Sequence, residues 1–516
     1  MRPLALRALL LCCTCLIPAG PARAVITYLG AGTIPANATD DTGLIGLLED
    51  GTPGNRAGGM GSAIAYSGSG NRFYMVPDRG PGDGTASWID RIYQVQVAIT
   101  PSGPGFTVTP TLGHAKLFSN QAGVNFLGKS SAFDSTNLSV SLRLDPEGLR
   151  VSLSGATVFV SDEFGPFVYE FSLETGRRLR SIPVPSKFLI LHPNAINAAE
   201  LPPTNTSGRE ANRGMEGLAI SPDGSKLYGL IQSPLLQDSA LNASNNRVGT
   251  NCRLLEMNLS SGKTREFLYQ LSNASIGATE VLAINYHQFL VLERDGRGLN
   301  SGNTAQFKKI FKIDLAGATD ISGVAILPKT GTPVGVTPVA KSLFLDVLAA
   351  TAIPGNQFPE KLEGIAFGPD LGDGRHVLVV SADNDFRATI DNWFFAFAID
   401  PPDLPGFVPQ NIAKVLDASE PAGAAELTLG TPAPHPVRGA TRLAYALPRD
   451  GHVKLAIYDL RGRRVRRLLD GFGWAGSSSV SWDCRDDAGR KLPVGAYFAR
   501  LDANGTMRVR KLIVVE

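Results

Sequence analysis

An internal repeat of roughly seventy residues constrains the fold more than any other feature of this 516-residue chain. Each copy opens with a carboxylate at the head of an apolar run, as in DPEGLR, NRGMEGLAI, TEVLA and KLEGIA. These glutamates are Glu147, Glu216, Glu280 and Glu363, whereas an earlier copy, NRAGGMG, has Gly61 at that place. The chain is therefore expected to consist of similar units that pack against one another.

Each copy predicts several short β-strands. An apolar strand is followed by a turn, by a second strand that ends in polar residues, and by a third strand of alternating hydrophobicity. A further extended segment follows several copies, which makes four strands per unit. Repeated four-stranded antiparallel units indicate an all-β protein with a β-propeller. Five units are clear, and a sixth is expected from VITYLG near the N-terminus and residues 400–415. About six blades are predicted, within a range of five to seven.

The remaining segments flank the propeller, which is predicted over residues 25–415. Residues 1–24 are typical of a signal peptide, because two early arginines precede a short apolar stretch and Ala22-Arg23-Ala24 fits the cleavage rule. Export to the periplasm, the cell surface or the medium is expected after cleavage near Ala24, with no transmembrane segment in the mature chain. Residues 416–424 are interpreted as a linker, and the short alternating strands of 425–516 predict a small Ig-like β-sandwich.

Convergence of the blades gives the repeated carboxylates a functional interpretation. The first strand of each propeller blade lines the central channel, so the four glutamates should meet at one channel mouth. The ends of the second strands are expected to add further acidic residues there. These are Asp78, Asp162, Glu163, Glu293, Asp383 and Asp385. The body of the chain, 25–424, has 30 basic and 38 acidic residues, a balance that suits a cation-binding mouth or an ordinary solvated surface.

Several common enzyme classes lack support in this sequence. It contains no HExxH zinc motif, no GxSxG nucleophile elbow, no Walker loop and no Rossmann fingerprint followed by a helix. Only Cys252 and Cys484 remain after the predicted signal, so no disulfide framework is indicated. The C-terminal segment carries 16 basic and 9 acidic residues, but no aromatic interleaving that would indicate nucleic acid.

Long stretches of the body resemble a known family. SDEFGPFVYEFSLETG, NRGMEGLAISPDGSKLYGLIQSPL, LERDGRG and LEGIAFGPDLGDGRHVLVVSADNDF resemble, in this order over about 55–400, the family called esterase-like activity of phytase, or phytase-like. The resemblance implies a propeller fold and the hydrolysis of phosphate esters or other esters. The tail, with HVKLAIYDLRGRRVRRL and GAYFARL, is similar to the Ig-like module of flagellar hook-capping proteins and to C-terminal sorting domains of bacterial type IX secretion. That similarity implies surface attachment or a contact with sorting machinery.

Two hypotheses about the mouth remain open. In the first, calcium offsets the repulsion among the carboxylates and activates a water, with Asp78, Glu147, Asp162, Glu163, Glu216, Glu280, Glu293, Glu363, Asp383 and Asp385 as candidate ligands. Glu216, Glu363, Arg213 and Arg79 are then the candidate catalytic residues, and the arginines would hold a phosphate or other ester substrate. In the second, calcium and carboxylates are structural, and the propeller is displayed on the surface to bind a ligand or glycan without turnover.

Overall fold

The repeat folds into five four-stranded antiparallel sheets in this computed structural model, which describes residues 26–134, 141–165, 167–299, 301–413, 426–448, 451–473, 476–503 and 505–515. The predicted signal peptide and the linker 416–424 lie outside the described residues. The strands of the five sheets are, in chain order, β1 (Ile26–Ile34), β2 (Ala63–Tyr66), β3 (Arg72–Val76), β4 (Arg91–Ser102), β5 (Gly105–Leu117), β6 (Pro146–Val151), β7 (Thr157–Asp162), β8 (Phe167–Ser172), β9 (Arg178–Ile182), β10 (Met215–Ile220), β11 (Lys226–Ile231), β12 (Asn251–Asn258), β13 (Thr264–Gln270), β14 (Gly277–Ala283), β15 (Gln288–Arg294), β16 (Lys308–Asp314), β17 (Ala340–Asp346), β18 (Lys361–Phe367), β19 (His376–Asp383) and β20 (Asn392–Ile399).

These sheets are the blades of a propeller, so the predicted fold is confirmed. Strands β2–β5, β6–β9, β10–β13 and β14–β17 form the first four blades in sequence order. The innermost strands β2, β6, β10, β14 and β18 contact one another in a closed ring around the channel. Five hydrophobic clusters fill the five interfaces between neighbouring blades. The core is therefore a ring of interblade layers in which each repeat buries the face of the next.

The fifth blade closes the ring with a strand from the opposite end of the propeller sequence. Its order is β1-β20-β19-β18, and β1 pairs antiparallel with β20 from Ile26 opposite Ile399 to Ile34 opposite Asn392. The expectation of a sixth blade was therefore wrong, because the N-terminal strand covers the open edge of the fifth. Residues 400–413 form no further strand; they begin with a 3-10 turn, Pro401–Asp403, and run across the end of the channel.

Glycines allow the inner strands to approach one another closely. A Cβ at Gly217 would lie 2.9 Å from the backbone nitrogen of Val281 on the next inner strand. A Cβ at Gly364 would lie 3.0 Å from the backbone nitrogen of Ile64, across the closing interface between β18 and β2. A glycine after each of these glutamates thus reflects the narrow spacing of the strands around the channel.

The C-terminal residues form a separate β-module with its own hydrophobic cluster. Its strand β22 pairs with both β23 and β28, which joins two groups of strands that share this cluster. The pattern fits the predicted small sandwich. The strands are β21 (Thr428–Leu429), β22 (Ala433–Arg438), β23 (Ala440–Leu447), β24 (Gly451–Tyr458), β25 (Arg464–Gly473), β26 (Gly476–Trp482), β27 (Gly495–Ala503) and β28 (Thr506–Val514).

Helical structure is limited to short connections. One α-helix, α1 (Val347–Thr351), follows β17, and 3-10 turns occur at Ser186–Phe188, Asn197–Glu200 and Leu236–Asp238. Within the described residues, none of the helices has the length and apolar character needed to span a membrane. Cys252 and Cys484 are buried and unpaired.

Candidate functional site

β-Bulges place three of the four predicted glutamates at the heads of inner strands. The pairing of β6, β10 and β18 with the neighbouring strand shifts register at one residue, and that residue is Glu147, Glu216 and Glu363 in turn. A bulged residue drops out of the hydrogen-bond ladder and is re-aimed by the local bend of the strand. All three glutamates are nearly buried, at most 6% exposed. The repeated Glu-Gly pair therefore encodes a bulge that directs carboxylates toward one mouth.

The fourth glutamate belongs to a different position of the repeat. In β14 the register shift falls between Ala278 and Glu280, so Thr279 is the bulged residue. Glu280 itself pairs with Leu292 and takes the place that glycine has in the other copies. The alignment of Glu280 with the other glutamates was thus wrong by one residue, because TEVLA lacks the glycine that marks the bulge. Thr279 Oγ1 instead donates a hydrogen bond to the carbonyl of Leu362, 3.2 Å away.

Glu280 lies deeper in the channel, where it contacts a buried arginine. Its Oε2 is 3.0 Å from Nη2 of Arg150, and its Oε1 accepts hydrogen bonds from the backbone of Leu218 and Val281. Arg150 also donates to the carbonyls of Ile64 and Val281, so it bridges three inner strands. Burial raises the pKa of Glu280 to about 8 although Arg150 opposes the shift. This pair separates the acidic mouth from the lower part of the channel.

Three buried carboxylates form the first cluster at the mouth, called here the mouth trio: Asp145, Glu147 and Glu163. One oxygen of each lies within 4.8 Å of the others. Arg79 Nη2 is 2.9 Å from Asp145 and 2.7 Å from Glu163. Among the described residues Asp145 Oδ2 accepts no well-aligned hydrogen bond, despite that short distance. The sequence analysis missed Asp145, although it stands two residues before Glu147 in the quoted motif DPEGLR.

The mouth trio carries more carboxylates than its arginine neutralises. Burial raises the pKa of Glu147 well above its ordinary value, and the nearby Glu216 carboxylate raises it further. The pKa of Glu216 is also raised well above normal by burial and by Glu163. Burial alone would raise the pKa of Glu163, but Arg79 and a hydrogen bond with Glu216 lower it. Without a cation, the group therefore holds protons on Glu147 and Glu216 at neutral pH.

A second group, called here the lysine trio, consists of Asp78, Asp383 and Asp385, again with one oxygen of each within 4.8 Å of the others. The Nζ of Lys361 is 3.3 Å from Asp78, 3.5 Å from Asp383 and 2.8 Å from Asp385. Burial would lower the pKa of Lys361, yet the aspartates raise it well above its ordinary value. The ammonium group thus stands where a bound cation would otherwise balance these three charges.

Glu363 links the two trios. It accepts a hydrogen bond from Arg294 Nη2, and Arg294 also interacts electrostatically with Glu216. Glu363 in turn interacts with Asp78 and with Glu147. The two trios, Glu216 and Glu363 therefore form one contiguous acidic mouth.

Arg213 is the least committed of the predicted arginines. Its nearest carboxylate oxygen is Glu210 Oε1, at 4.0 Å, and its side chain is 24% exposed. Burial lowers its pKa to about 10, and the nearby Arg247 lowers it further. By contrast Arg79 is only 3% exposed, and its Nη2 also donates a hydrogen bond to Asn212.

Two other predicted ligands lie outside both trios. Asp162 Oδ1 accepts hydrogen bonds from the backbone of Asp145 and Phe164, both at 3.1 Å, and burial raises its pKa to about 7. It therefore orients the loop that carries the mouth trio. Glu293 accepts a hydrogen bond of 2.6 Å from the Tyr269 hydroxyl and pairs with Lys341, a residue of the outer strand β17. These contacts stabilise the packing of the third blade on the fourth.

Comparisons with known proteins address the family and the fold. A family model described as "Phytase-like: Esterase-like activity of phytase" matches residues 55–386. A protein of Arthroderma benhamiae named "Uncharacterized secreted protein" is 30% identical over 356 residues, which cover 54% of this chain and 64% of that protein. The chain thus spans less than two thirds of the length of this relative.

Solved structures are similar only at a low level. Glutaminyl cyclase of Myxococcus xanthus is 12% identical, with 74% of this chain and 100% of that chain covered and a TM-score of 0.31. FlgD of P. aeruginosa is 28% identical over 14% of this chain and 59% of that chain, with a TM-score of 0.13. TM-scores of this size support no conclusion about function.

Proposed function

Since the chain belongs to the phytase-like family, we propose that it is a secreted hydrolase of phosphate esters or other esters that acts at the acidic mouth of its propeller. The observation that carries the proposal is the mouth trio, with buried carboxylates in excess of their counter-charge and an uncommitted arginine, Arg213, close to Glu216. The predicted signal peptide and the name of the Arthroderma benhamiae relative support secretion.

Calcium fits the donor set of the mouth trio. All three side chains offer carboxylate oxygens, the ligands that calcium prefers, and Asp145 Oδ2 lacks a well-aligned hydrogen-bond donor among the described residues. Glu216 lies beside the trio and supplies a fourth carboxylate. When bound, calcium polarises a phosphoryl oxygen and lowers the pKa of a coordinated water. The lysine trio fits less well, because Lys361 already balances it.

The arginines divide between positioning and substrate binding. Arg79 is buried and is held by Asp145, Glu163 and Asn212, so in this proposal it positions the mouth trio instead of contacting substrate. Arg213 has no carboxylate closer than 4.0 Å among the described residues and is partly exposed. A guanidinium in this state can bind the oxygens of a phosphate in bidentate fashion. Arg213 is therefore assigned to the substrate anion.

The glutamates supply proton transfer. Glu216 keeps its proton at neutral pH because burial and Glu163 raise its pKa, so it can donate a proton to the oxygen of a leaving group. Glu363 is hydrogen-bonded to Arg294 and lies beside Glu216. We assign it to orient Arg294 toward the reacting group, with no nucleophilic side chain in the reaction.

The test is turnover by the full mature chain. It is assayed on p-nitrophenyl phosphate, phytate and p-nitrophenyl acetate, each with calcium and with chelator. Glu216→Gln is expected to reduce kcat at least about a hundredfold with the fold retained, as for loss of a general acid. Glu256→Gln is the matched control, since Glu256 is an equally buried glutamate that pairs with Lys226 on the third blade, away from the mouth. Absence of turnover on all three substrates in both conditions would end the enzyme proposal.

A second candidate function has a specific observation in its favour. Arg79 and Lys361 neutralise five of the acidic residues at the mouth without any ligand. A surface-displayed propeller that binds a ligand or glycan, with calcium and carboxylates as structural elements, would have this arrangement. Its signature is a rise of Tm with calcium in a protein that hydrolyses none of the three substrates.

The C-terminal module is proposed to attach the protein to the cell envelope, in keeping with its similarity to hook-capping and sorting domains. Its net charge of +7 and the exposed arginines of RGRRVRRL support contact with an anionic envelope polymer or sorting component. The full chain with Arg463 and Arg464 replaced by glutamine should release from isolated envelopes at lower salt than the parent chain. Equal release would remove this role for the arginines.

A further inference from the structure

A cavity of about 340 Å³ lies at the end of the channel opposite the acidic mouth. The C-terminal ends of all five inner strands line it, with Ala65, Val151, Ile220, Leu282 and Ala366 from β2, β6, β10, β14 and β18. The glutamates of the mouth head the same strands, so the length of a strand separates the two sites. The cavity is therefore distinct from the acidic mouth, and the Arg150–Glu280 pair lies between them.

The segment after the last blade, called here the strap (residues 404–413), closes the cavity from below. The backbone nitrogen of Val408 donates to the carbonyl of Ile284, which follows β14, at 2.9 Å. That of Ala413 donates to the carbonyl of Leu153, which follows β6, at 2.6 Å. Between these contacts, Phe407 packs on Phe367 with ring centroids 4.5 Å apart. The strap thus crosses the channel and makes a chamber of its lower end.

The polar side chains around this chamber are almost all hydrogen-bonded. Tyr66 donates to the carbonyl of Gly70, His376 pairs with Asp370, and Gln410 Nε2 donates to the carbonyl of Val151. Arg150 is 3% exposed and lines the chamber, and its Nε has no acceptor among the described residues. A largely apolar cavity with a single free donor offers ordered water too few partners to hold it well.

We propose that this chamber binds a small, uncharged, mainly apolar molecule that carries one hydrogen-bond acceptor. The wall takes the apolar body, and Arg150 Nε donates to the acceptor, a ketone, ester or alcohol oxygen. The volume leaves room for about ten non-hydrogen atoms, at a share of roughly 30 Å³ each. This inference does not depend on the proposed hydrolase activity, because no residue of the mouth takes part.

Charge favours a neutral ligand over an anionic one. Arg150 already has a carboxylate partner, with Glu280 Oε2 at 3.0 Å from its Nη2. A second carboxylate would be buried without a counter-ion of its own, which is strongly unfavourable. A neutral acceptor needs only the one free N–H group.

The experiment compares two nine-carbon probes, 2-nonanone and nonanoate, by isothermal titration into the full mature chain at pH 8.5, where Glu280 is mostly ionised. The ketone is expected to bind with Kd of about 0.1 mM, and nonanoate at least about tenfold more weakly. Failure of 2-nonanone to bind at millimolar concentration would overturn the proposal and leave a chamber that holds solvent only. Tighter binding of nonanoate would contradict the neutral class.

Variants locate the site of binding. Val408→Trp fills the chamber from the strap and should weaken 2-nonanone binding at least about tenfold. Val334→Trp is the matched control, since Val334 is fully exposed on a loop between β16 and β17. If Val408→Trp unfolds, Ala283→Phe fills the same chamber from β14. Unchanged affinity in a folded chamber variant would place the ketone elsewhere and contradict the inference.

Discussion

The two carboxylate trios of the mouth differ in how their charge is balanced. In the lysine trio, a single ammonium lies within 3.5 Å of all three aspartates. In the mouth trio, Arg79 reaches Asp145 and Glu163, while Glu147 has neighbouring carboxylates that raise its pKa. Equal numbers of acids in equally tight groups thus leave different net charges. A cluster of carboxylates attracts a cation only to the extent that the fold has not already supplied one.

Removal of the lysine is the largest change that this comparison predicts. Lys361→Met leaves three buried aspartates without a counter-charge and should lower the free energy of unfolding by about 4 kcal/mol. Millimolar calcium should restore part of the loss, and titration calorimetry should count two calcium ions per chain where the parent binds one. Lys309→Met is the control, because Lys309 pairs with a single aspartate, Asp346, at 3.3 Å and is similarly exposed. Equal losses in both variants would contradict the comparison.

A second lysine shows what happens when a fold supplies fewer carboxylates. Lys308 is fully buried with one aspartate, Asp295, at 2.9 Å, and burial together with Arg294 lowers its pKa from 10.5 to about 8. Between these two pH values the unfolded chain binds more protons than the folded chain, so this group makes stability rise with pH. Relative to Lys308→Met, the parent should gain up to about 3 kcal/mol between pH 8 and 10.5 in denaturant unfolding. A flat difference would show that Lys308 stays charged.

Calcium should stabilise the mouth trio but not the lysine trio. At a hundredfold excess over Kd, calcium is expected to raise the free energy of unfolding of the parent chain by about 2.7 kcal/mol. Glu147→Gln removes a ligand and should abolish most of this gain, as measured by Tm with calcium and with chelator. Asp385→Asn, in the lysine trio, should keep it. The reverse result would exchange the roles of the two groups.

The smallest predicted effect tests the bulge alignment. Thr279 occupies in β14 the position of the glutamates, so Thr279→Glu should add a carboxylate at the mouth. Like-charge repulsion should lower stability by about 1 kcal/mol without calcium, and calcium should recover it. Thr279→Gln is the control of matched size without charge, and it should not respond to calcium. The same calcium response in both variants would mean that position 279 does not face the mouth.

Sequence patterns predicted much of the site because the repeat is local. The Glu-Gly pairs at 147, 216 and 363 mark the bulges, and the polar ends of the second strands contain Glu163, Asp78, Asp383 and Asp385. These residues do meet at one mouth, although their roles as ligands and catalysts remain predictions. Glu280 was misplaced because the fourth copy has no glycine, so nothing in the sequence showed which residue bulges.

The residues that the sequence analysis missed have no local signature. Asp145 stands before a proline at the start of a strand, and nothing in that context indicates an ion pair with Arg79. Lys361 looks like an ordinary surface lysine in the sequence. It meets Asp78 only because the fifth blade closes against the first, which joins residues 283 positions apart. Partners of this kind depend on ring closure, not on neighbours along the chain.

The amino-acid sequence by itself determined the unit of structure: strands, turns and bulges recur at short range, so propensity and alternation specify a propeller blade and the carboxylate at its head. The tertiary structure alone decided the number of blades, because β1 pairs with β20 from the far end of the propeller and leaves no edge for a sixth. It also decided which carboxylates are neutralised, since an ion pair depends on separation in space and on exclusion of water. Both quantities exist only once the ring has closed.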